Sequence, residues 1–260
     1  MIALFLLLAA PPTPVVPLQH AHSHNDYAQA QPLQRALGQG FTSVEADIFL
    51  VQGQLRVGHH LLELRPGRTL EALYLEPLRR RVRDQGGKVY ADGSPFYLLI
   101  DLKSAGEETY QAVHRALANY SEMLTTVRAG KCQPGPVTVI ISGNIPRRTI
   151  ERQPLRLAAI DGRPPDLDST VPVDLIPMIS TSWASQFRWR GEGPMPEAER
   201  TKLRDFVARA HQRGRLVRFW ATPEKPALWR ELRAAGVDLI NTDRLDDLRR
   251  FLLDEAATRD

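Results

Sequence analysis

The chain has 260 residues, of which 43% are hydrophobic, and this length suits one large α/β domain or two small ones, of which we expect one. Its 34 Lys and Arg residues against 30 Asp and Glu give a net charge of +4 without a dense basic tract, so we expect no nucleic-acid partner and favour an anionic substrate. The single cysteine, Cys132, excludes an internal disulfide framework and a cysteine-based zinc site.

The chain begins with MIALFLLLAAPPTPVVP, an apolar run about as long as the core of a signal peptide, followed by a proline-rich linker. The run is too short to span a membrane. No Lys or Arg precedes it, and prolines follow the Ala-Ala pair where cleavage is expected. We predict a signal peptide or anchor with a linker over residues 1–18, a folded domain over residues 19–260, and a secreted or periplasmic protein.

Short β-type runs then alternate with helical patterns such as PLQRALGQG and AERTKLRDFVARAHQRG, the order expected of a parallel sheet wrapped by helices. In chain order the β-type runs are LQHAHSH, SVEADIFL with its extension LRVGH, YLLIDLK, VTVIIS, RLAAIDG, LIPMIST, RLVRFWAT and VDLINTD. Eight β/α units in about 240 residues predict a single-domain TIM (β/α)8 barrel of the α/β class.

Two charged residues interrupt the second β-type run, SVEADIFL. Side chains alternate along a strand, so the apolar residues of this run share one face while Glu45 and Asp47 share the other. In a barrel, the inward face near the carboxyl ends of the strands lines the mouth of the active site. The next run, YLLIDLK, repeats the phase, so Asp101 and Lys103 are also predicted to face inward.

Several unpaired charges inside a barrel would be costly, so a bound cation together with mutual pairing is the economical explanation. Glu45, Asp47 and Asp101 form an oxygen-rich set suited to Mg²⁺ or Ca²⁺, with Lys103 above it as a point charge. The alternative is that these acids only pair with Arg and Lys at strand ends.

Histidines provide a second cluster of candidates. His20, His22 and His24 alternate along the first run, with His24 nearest its carboxyl end, and His59 ends LRVGH. Two imidazoles near neutral pKa suit a displacement at phosphorus, where one takes a proton and the other donates one. We expect His20 and His60 to hydrogen-bond loops. For His22 the sequence leaves two alternatives: a hydrogen bond to a loop, or a contact with substrate.

Three stretches together, HSHNDYAQAQPLQRALGQGFTSVEADIFLVQGQLRVGHH, YLLIDLKSAG and RFWATPEKPALWRELRAAGVDLINTDRL, resemble the PLC-like phosphodiesterase superfamily. The resemblance is strongest to its glycerophosphodiester phosphodiesterase-like branch with an HSHNDY motif, and it spans nearly all of the chain after residue 18. It implies a TIM barrel, a divalent cation held by Glu45, Asp47 and Asp101, and catalytic histidines at His24 and His59.

The DLK sequence ending at Lys103 and the aromatic Trp220 are also similar to the sphingomyelinase D toxins of the superfamily. That similarity implies attack on phosphorus by a substrate hydroxyl or a water while the cation and Lys103 neutralise the phosphoryl oxygens. Trp220 is interpreted either as a wall of the pocket or as core filling.

Some positions depart from the family pattern. Glycerophosphodiesterases usually begin with HRG, where this chain has His24-Asn25-Asp26, and the ENT segment and the glycerol-gripping insertion are missing. Asn25 either donates to a phosphoryl oxygen or serves as a turn residue. Asn144 is a further candidate for substrate binding. Like other polar residues at strand ends, namely Ser142, Asp161, Ser180, Asn241 and Asp243, it is also explained by a turn or helix cap.

The leading hypothesis is a metal-dependent phosphodiesterase, hydrolytic or cyclising, that acts as a monomer on a glycerophosphodiester or lysophospholipid. A zinc amidohydrolase is the second hypothesis, because HxH on the first strand and Asp243 on the eighth are also typical of that class. It needs histidines on the fifth and sixth strands, which RLAAIDG and LIPMIST lack. A barrel that binds phosphodiesters without catalysis is the third.

Overall fold

The computed structural model describes residues 15–258, so most of the predicted leader lies outside the described residues. The strands are β1 (Leu18–Ser23), β2 (Phe41–Val51), β3 (Gln54–Val57), β4 (Phe96–Leu102), β5 (Thr126–Arg128), β6 (Lys131–Gln133), β7 (Val137–Gly143), β8 (Leu155–Arg156), β9 (Ala159–Gly162), β10 (Met178–Ser182), β11 (Leu216–Trp220) and β12 (Leu239–Thr242). The α-helices are α1 (Gln34–Gly38), α2 (Glu76–Asp84), α3 (Gly106–Ala118), α4 (Arg147–Arg152), α5 (Trp183–Gln186), α6 (Glu197–Gln212), α7 (Pro226–Ala235) and α8 (Leu245–Ala257).

Eight parallel strands close into a barrel in the order β1, β2, β4, β7, β9, β10, β11 and β12, with β12 pairing back to β1. Each of the eight β-type runs recognised in the sequence supplies one of these strands, so the predicted TIM barrel is confirmed. β3 is antiparallel to β2, and β5, β6 and β8 form a small separate sheet.

The barrel has an apolar floor and a polar mouth. On β2 and β4 the side chains that face the helices are fully buried in the main core, as the strand phase predicts. On the inner face a second apolar cluster fills the barrel; it consists of Leu99, Ile140, Ala159, Met178 and Leu239. Leu99 shares the face of β4 that carries Asp101, so the charged residues stand directly above this floor.

The β2–β3 hairpin brings the chain back towards the mouth. Its two turn residues, Gln52 and Gly53, have φ of 53° and 76°, the left-handed conformation of tight hairpin turns. After β3 the backbone N–H of Gly58 donates to the carbonyl of Asp47 over 3.1 Å. The next residue, His59, is thereby placed beside the acids of β2.

Among residues 15–258, no helix is both long and apolar enough to cross a membrane.

Candidate active site

Three carboxylates meet at the mouth. Glu45, Asp47 and Asp101 each offer one oxygen, and these oxygens lie within 4.8 Å of one another. The pairing of β2 with β4 explains the meeting, because Asp47 and Asp101 are register partners and Glu45 is one inward-facing position earlier on β2. Within the described residues, this is the one cluster of potential ligands with such spacing.

The two oxygens of Asp47 have different surroundings. Oδ2 accepts from the hydroxyl of Tyr27 at 2.8 Å and from Nδ1 of His59 at 2.8 Å, and lies 3.1 Å from Nζ of Lys103. Oδ1 is buried and has no hydrogen-bond partner. A buried carboxylate oxygen without a partner is costly, and a cation satisfies it. The three acids therefore fit a hard divalent cation.

Lys103 bridges two of the acids. Its Nζ lies 3.1 Å from both Asp47 Oδ2 and Asp101 Oδ1. Burial alone would lower the pKa of Lys103, but the charges of Asp101 and Asp47 raise it overall, so the ammonium stays protonated. Burial raises the pKa of Asp101, with the charge of Lys103 opposing that effect.

Glu45 is held by an arginine that was not among the sequence candidates. Nη1 of Arg218 donates to Glu45 Oε2 over 2.6 Å and to Asn241 Oδ1 over 3.0 Å. Burial raises the pKa of Glu45, but the charge of Arg218 and the hydrogen bond of His22 outweigh it, so the net pKa is well below its usual range. Three acids against Lys103 and Arg218 leave one net negative charge. The pairing alternative therefore accounts for part of the cluster only.

His22 lies beneath this layer. It is fully buried, with Nδ1 at 2.7 Å from Ser43 Oγ and Nε2 at 3.2 Å from Glu45 Oε2. Burial and the charge of Arg218 lower the pKa of His22 to about 4, so the ring is neutral near pH 7. The structure places His22 under Glu45 and outside the lining of the mouth cavity.

His24 and His59 both line a cavity of about 550 Å³ at the mouth, together with Glu45, Asp101 and Lys103. Nδ1 of His24 lies 2.9 Å from Asp243 Oδ1, and Nδ1 of His59 lies 2.8 Å from Asp47 Oδ2. A carboxylate on Nδ1 fixes the ring and leaves Nε2 for a substrate. Burial lowers the pKa of His24, but the bond to Asp243 and the charges of Glu45 and Asp243 raise it overall.

The HNDY part of the motif organises the loop after β1. Asp26 is buried and accepts hydrogen bonds from Ser23 Oγ at 2.8 Å and Tyr74 Oη at 3.1 Å, which anchors the turn. Asn25 has φ of 45° and lines the cavity, and its Oδ1 lies 2.7 Å from the hydroxyl oxygen of Tyr27. Tyr27 was not a sequence candidate, although it belongs to the quoted motif.

Two sequence candidates remain, Trp220 and Asn144. Trp220 lines the cavity and is 39% exposed, which favours the pocket wall over core filling. The amide of Asn144 donates to the carbonyl of Ser104 over 3.0 Å and does not line this cavity. Arg163, missed from sequence, does line it, and its Nη1 lies 2.6 Å from Asp161 Oδ2. Its position just after the Asp161 strand end was the available signal.

Two segments match family models. Residues 13–95 match the AIM6-like phosphodiesterase domain, and residues 217–246 match the glycerophosphoryl diester phosphodiesterase family. The chain is 32% identical over 262 residues to the Altered inheritance of mitochondria protein 6 homolog of Arthroderma benhamiae, covering 88% of this chain and 82% of the relative. It is 30% identical over 273 residues to Altered inheritance of mitochondria protein 6 of Eremothecium gossypii, covering 90% and 69%.

Solved structures with a similar fold include a glycerophosphodiester phosphodiesterase from Parabacteroides distasonis, with a TM-score of 0.54, 15% identity and coverage of 91% of this chain and 98% of that one. The phosphatidylinositol-specific phospholipase C of Listeria monocytogenes has a TM-score of 0.51, 8% identity and coverage of 94% and 95%. At such low identity these structures are informative about the fold alone.

Proposed function

The chain belongs to the AIM6-like phosphodiesterase family, within the PLC-like superfamily, and from this membership we propose that it is a metal-dependent phosphoric diester hydrolase for glycerophosphodiesters or lysophospholipids. The observation that carries the proposal is Asp47 Oδ1, a buried oxygen without a partner, in a cluster of three acids beside two oriented histidines. Glu45, Asp101 and both histidines line one cavity, large enough for a small phosphodiester head group, and Asp47 is buried beside them.

Glu45, Asp47 and Asp101 would hold the cation. When bound, a divalent cation supplies positive charge against the charge that develops on the phosphoryl oxygens. Lys103 adds to that stabilisation: its ammonium has three hydrogens, and its ion pairs are with two carboxylates, Asp47 and Asp101. Two carboxylate partners for three donors leave one donor for a phosphoryl oxygen.

The histidines move the protons. In the proposed reaction Nε2 of His59 takes the proton of the attacking water or substrate hydroxyl as its oxygen bonds to phosphorus. The ester P–O bond breaks, and the leaving oxygen takes a proton from Nε2 of His24. The raised pKa of His24 suits the acid role. Asp243 and Asp47 keep each ring in the required tautomer.

The chemistry of the donors favours Mg²⁺ or Ca²⁺ over zinc. Every member of the described cluster offers a carboxylate oxygen, and oxygen sets are typical of hard cations. His22, which the amidohydrolase hypothesis needs as a ligand, is instead bonded to Ser43 and lies against Arg218 and Glu45. The apolar leader supports export as part of the proposal. N-terminal sequencing of protein recovered from a periplasmic or secreted fraction tests it.

The test uses metal-stripped protein and three substrates: bis-p-nitrophenyl phosphate, a glycerophosphodiester and a lysophospholipid. Added Mg²⁺ or Ca²⁺ should restore turnover. His59→Ala should lower kcat by about 10²-fold or more. Asp47→Asn should weaken cation binding, measured by calorimetry, and abolish activation. Asp174→Asn is the matched control, because that acid pairs with Arg156 away from the cavity.

Activity that survives chelation and both substitutions would reject the assigned site. Zinc retention with amide hydrolysis would establish the amidohydrolase hypothesis instead. A folded protein that binds phosphodiesters without turning over any of the three substrates would be a binding barrel.

A further inference from the structure

Exposed apolar side chains gather at the mouth. Of the six large hydrophobic residues that are exposed within residues 15–258, three lie there: Leu61, Leu62 and Trp220. Leu62 is 101% exposed and Leu61 is 63% exposed, so the fold shields neither. Isolated exposed leucines are ordinary, but two adjacent exposed leucines beside a cavity are typical of an interaction site.

The turn that carries the leucines is built into the site. It follows His59 and His60 directly, and Oε2 of Glu63 accepts from the backbone N–H groups of both, over 3.0 and 3.3 Å. The rings of His59 and His60 contact each other edge to face, with centroids 4.5 Å apart. His59 is itself bonded to Asp47, so Leu61 and Leu62 are held at a set distance from the acids.

Basic side chains also occur at this end of the barrel. Arg65 is exposed three residues beyond Leu62, and exposed arginines follow two other barrel strands, Arg148 after β7 and both Arg188 and Arg190 after β10. Carboxyl ends of the barrel strands share one end of the barrel, so the segments with Arg148, Arg188 and Arg190 begin at the mouth. Arg65 follows the turn that starts beside His59, which lines the mouth cavity. Within the described part of the chain, none of the four arginines has a carboxylate within 4.0 Å.

Only some acids of this end have an ion-pair partner among the described residues. Glu63 is turned onto the backbone of its own turn, and Glu107 accepts from Thr149 Oγ1. Glu192 pairs with Lys225 and Asp243 with His24, while Glu108 is exposed without an ion pair. Hydrogen bonds from uncharged groups leave the charges of Glu63 and Glu107 in place. The exposed charges that lack an opposite partner at this end, among the described residues, are therefore the four arginines against Glu63, Glu107 and Glu108.

We propose that the mouth of the barrel docks on an anionic phospholipid surface. Leu61, Leu62 and Trp220 contact the apolar part of that surface, and the four arginines face the headgroups. Leucines that insert, an aromatic at the interface and arginines at the headgroup level match the composition of interfacial membrane contacts. The catalytic part of this inference rests on the proposed function: the substrate is a lipid phosphodiester drawn from that surface into the cavity beside His59.

Co-sedimentation with vesicles tests docking without any need for turnover. Phosphatidylcholine vesicles with and without phosphatidylglycerol are compared for the full chain, the double variant Leu61→Ser/Leu62→Ser, and Val173→Ser. Val173 is 45% exposed at the opposite end of the barrel, beside Tyr97 and Leu216 at the starts of β4 and β11. The double variant should partition about tenfold more weakly or worse, and Val173→Ser should behave as the unmodified chain.

Arg65→Gln is a second variant that leaves the leucines in place. It should weaken binding only to vesicles that contain phosphatidylglycerol, and the deficit should shrink as salt is added. Circular dichroism establishes that each variant is folded. The unmodified chain staying in the supernatant with both vesicle types would overturn the proposal, as would a double variant that sediments normally.

Catalysis separates this inference from the proposed function. The double variant should lose about tenfold or more on lysophospholipid in vesicles and keep its rate on soluble bis-p-nitrophenyl phosphate. Equal losses on both substrates would place the leucines in the active site and overturn the docking role. Absence of turnover in the unmodified chain would count against the proposed function alone, since sedimentation still reports docking.

Discussion

Asp47 links the candidate cation site to the candidate base. Through Oδ2 it holds the ring of His59, and its other oxygen is the one left for a cation. Tyr27 is the third group at this point, because its hydroxyl lies 2.8 Å from Asp47 Oδ2 and 3.3 Å from His59 Nδ1. The geometry makes Tyr27 a positioning residue that acts through Asp47 and His59.

Tyr27→Phe removes that hydroxyl and little else. Groups that orient ligands and their partners typically contribute 10-fold to 100-fold, so kcat or cation affinity should fall by about that factor. Steady-state kinetics and cation titration measure it. Tyr97→Phe is the control. Tyr97 lies on the inner face of β4, and its hydroxyl makes no hydrogen bond to the described residues. Unchanged kinetics in Tyr27→Phe would show that the hydroxyl positions nothing.

Asp243→Asn tests the role of His24. The pKa of His24 is raised from 6.5 in the native chain, so the ring stays protonated to higher pH than an isolated imidazole. Removing the carboxylate charge lowers that pKa. If His24 is the acid, the alkaline limb of the kcat/KM profile should move to lower pH. Asp246→Asn, another exposed acid of the same end, should leave the profile in place. A shift of the acidic limb instead would make His24 the base.

The alternation of residues along the strands predicted which acids meet. Long-range contacts brought in the site residues that the sequence did not predict. Glu45, Asp47 and Asp101 alternate with apolar residues, so the sequence alone indicates that they share the inward face. Arg218 reaches Glu45 across 173 positions of sequence and Tyr27 reaches Asp47 across 20. No local pattern carries those pairings. Asn144 had the same strand-end signal as the rest, yet its amide is directed to Ser104.

At the scale of elements, the end of β7 supports the acid of the neighbouring strand. Gly143 ends β7 with φ of 71°, a backbone conformation that suits glycine. A Cβ at this position would collide with Asp101 Oδ1 and with the backbone of Leu102. The close approach of β7 to β4 therefore depends on having glycine, which has no Cβ, at position 143.

Gly143→Ala should displace Asp101 as well as strain the backbone. The free energy of unfolding should fall by about 1–3 kcal/mol, and cation affinity should fall with it. Gly130→Ala is a matched control. Gly130 has φ of 74°, but a Cβ added there meets no atom within 4 Å, so only the strain of the left-handed backbone lowers the stability. Urea unfolding and calorimetry measure both quantities. Equal effects in the two variants would exclude the collision.

At the scale of the whole molecule, Arg218 connects the strands at which the barrel closes. From β11 it reaches Glu45 on β2 and Asn241 on β12, and its Nη1 lies 2.8 Å from His22 Nε2 on β1. The pairing of β1 with both β2 and β12 closes the sheet. Charge pairing and closure thus occur in the same layer, just above the apolar floor.

Arg218→Met should leave Glu45 buried without its cationic partner. Breaking a buried ion pair typically costs about 3–5 kcal/mol in the free energy of unfolding, which urea denaturation measures. Adding Glu45→Gln should recover part of the loss, because the unpaired charge is then gone. Arg35→Met, which breaks a surface pair with Asp246, should cost about 1 kcal/mol or less. Equal losses in both arginine variants would contradict this role.

The sequence by itself determined the barrel and the inward acids, because strand count, alternation and helix spacing are local properties that every β/α unit repeats. Tertiary structure alone decided that Asp47 keeps one oxygen free, that Arg218 neutralises Glu45, and that Leu61 and Leu62 stand exposed beside His59. Those outcomes depend on distances between distant strands, on burial and on competition among donors for the same oxygen, and none of these is a property of neighbouring residues.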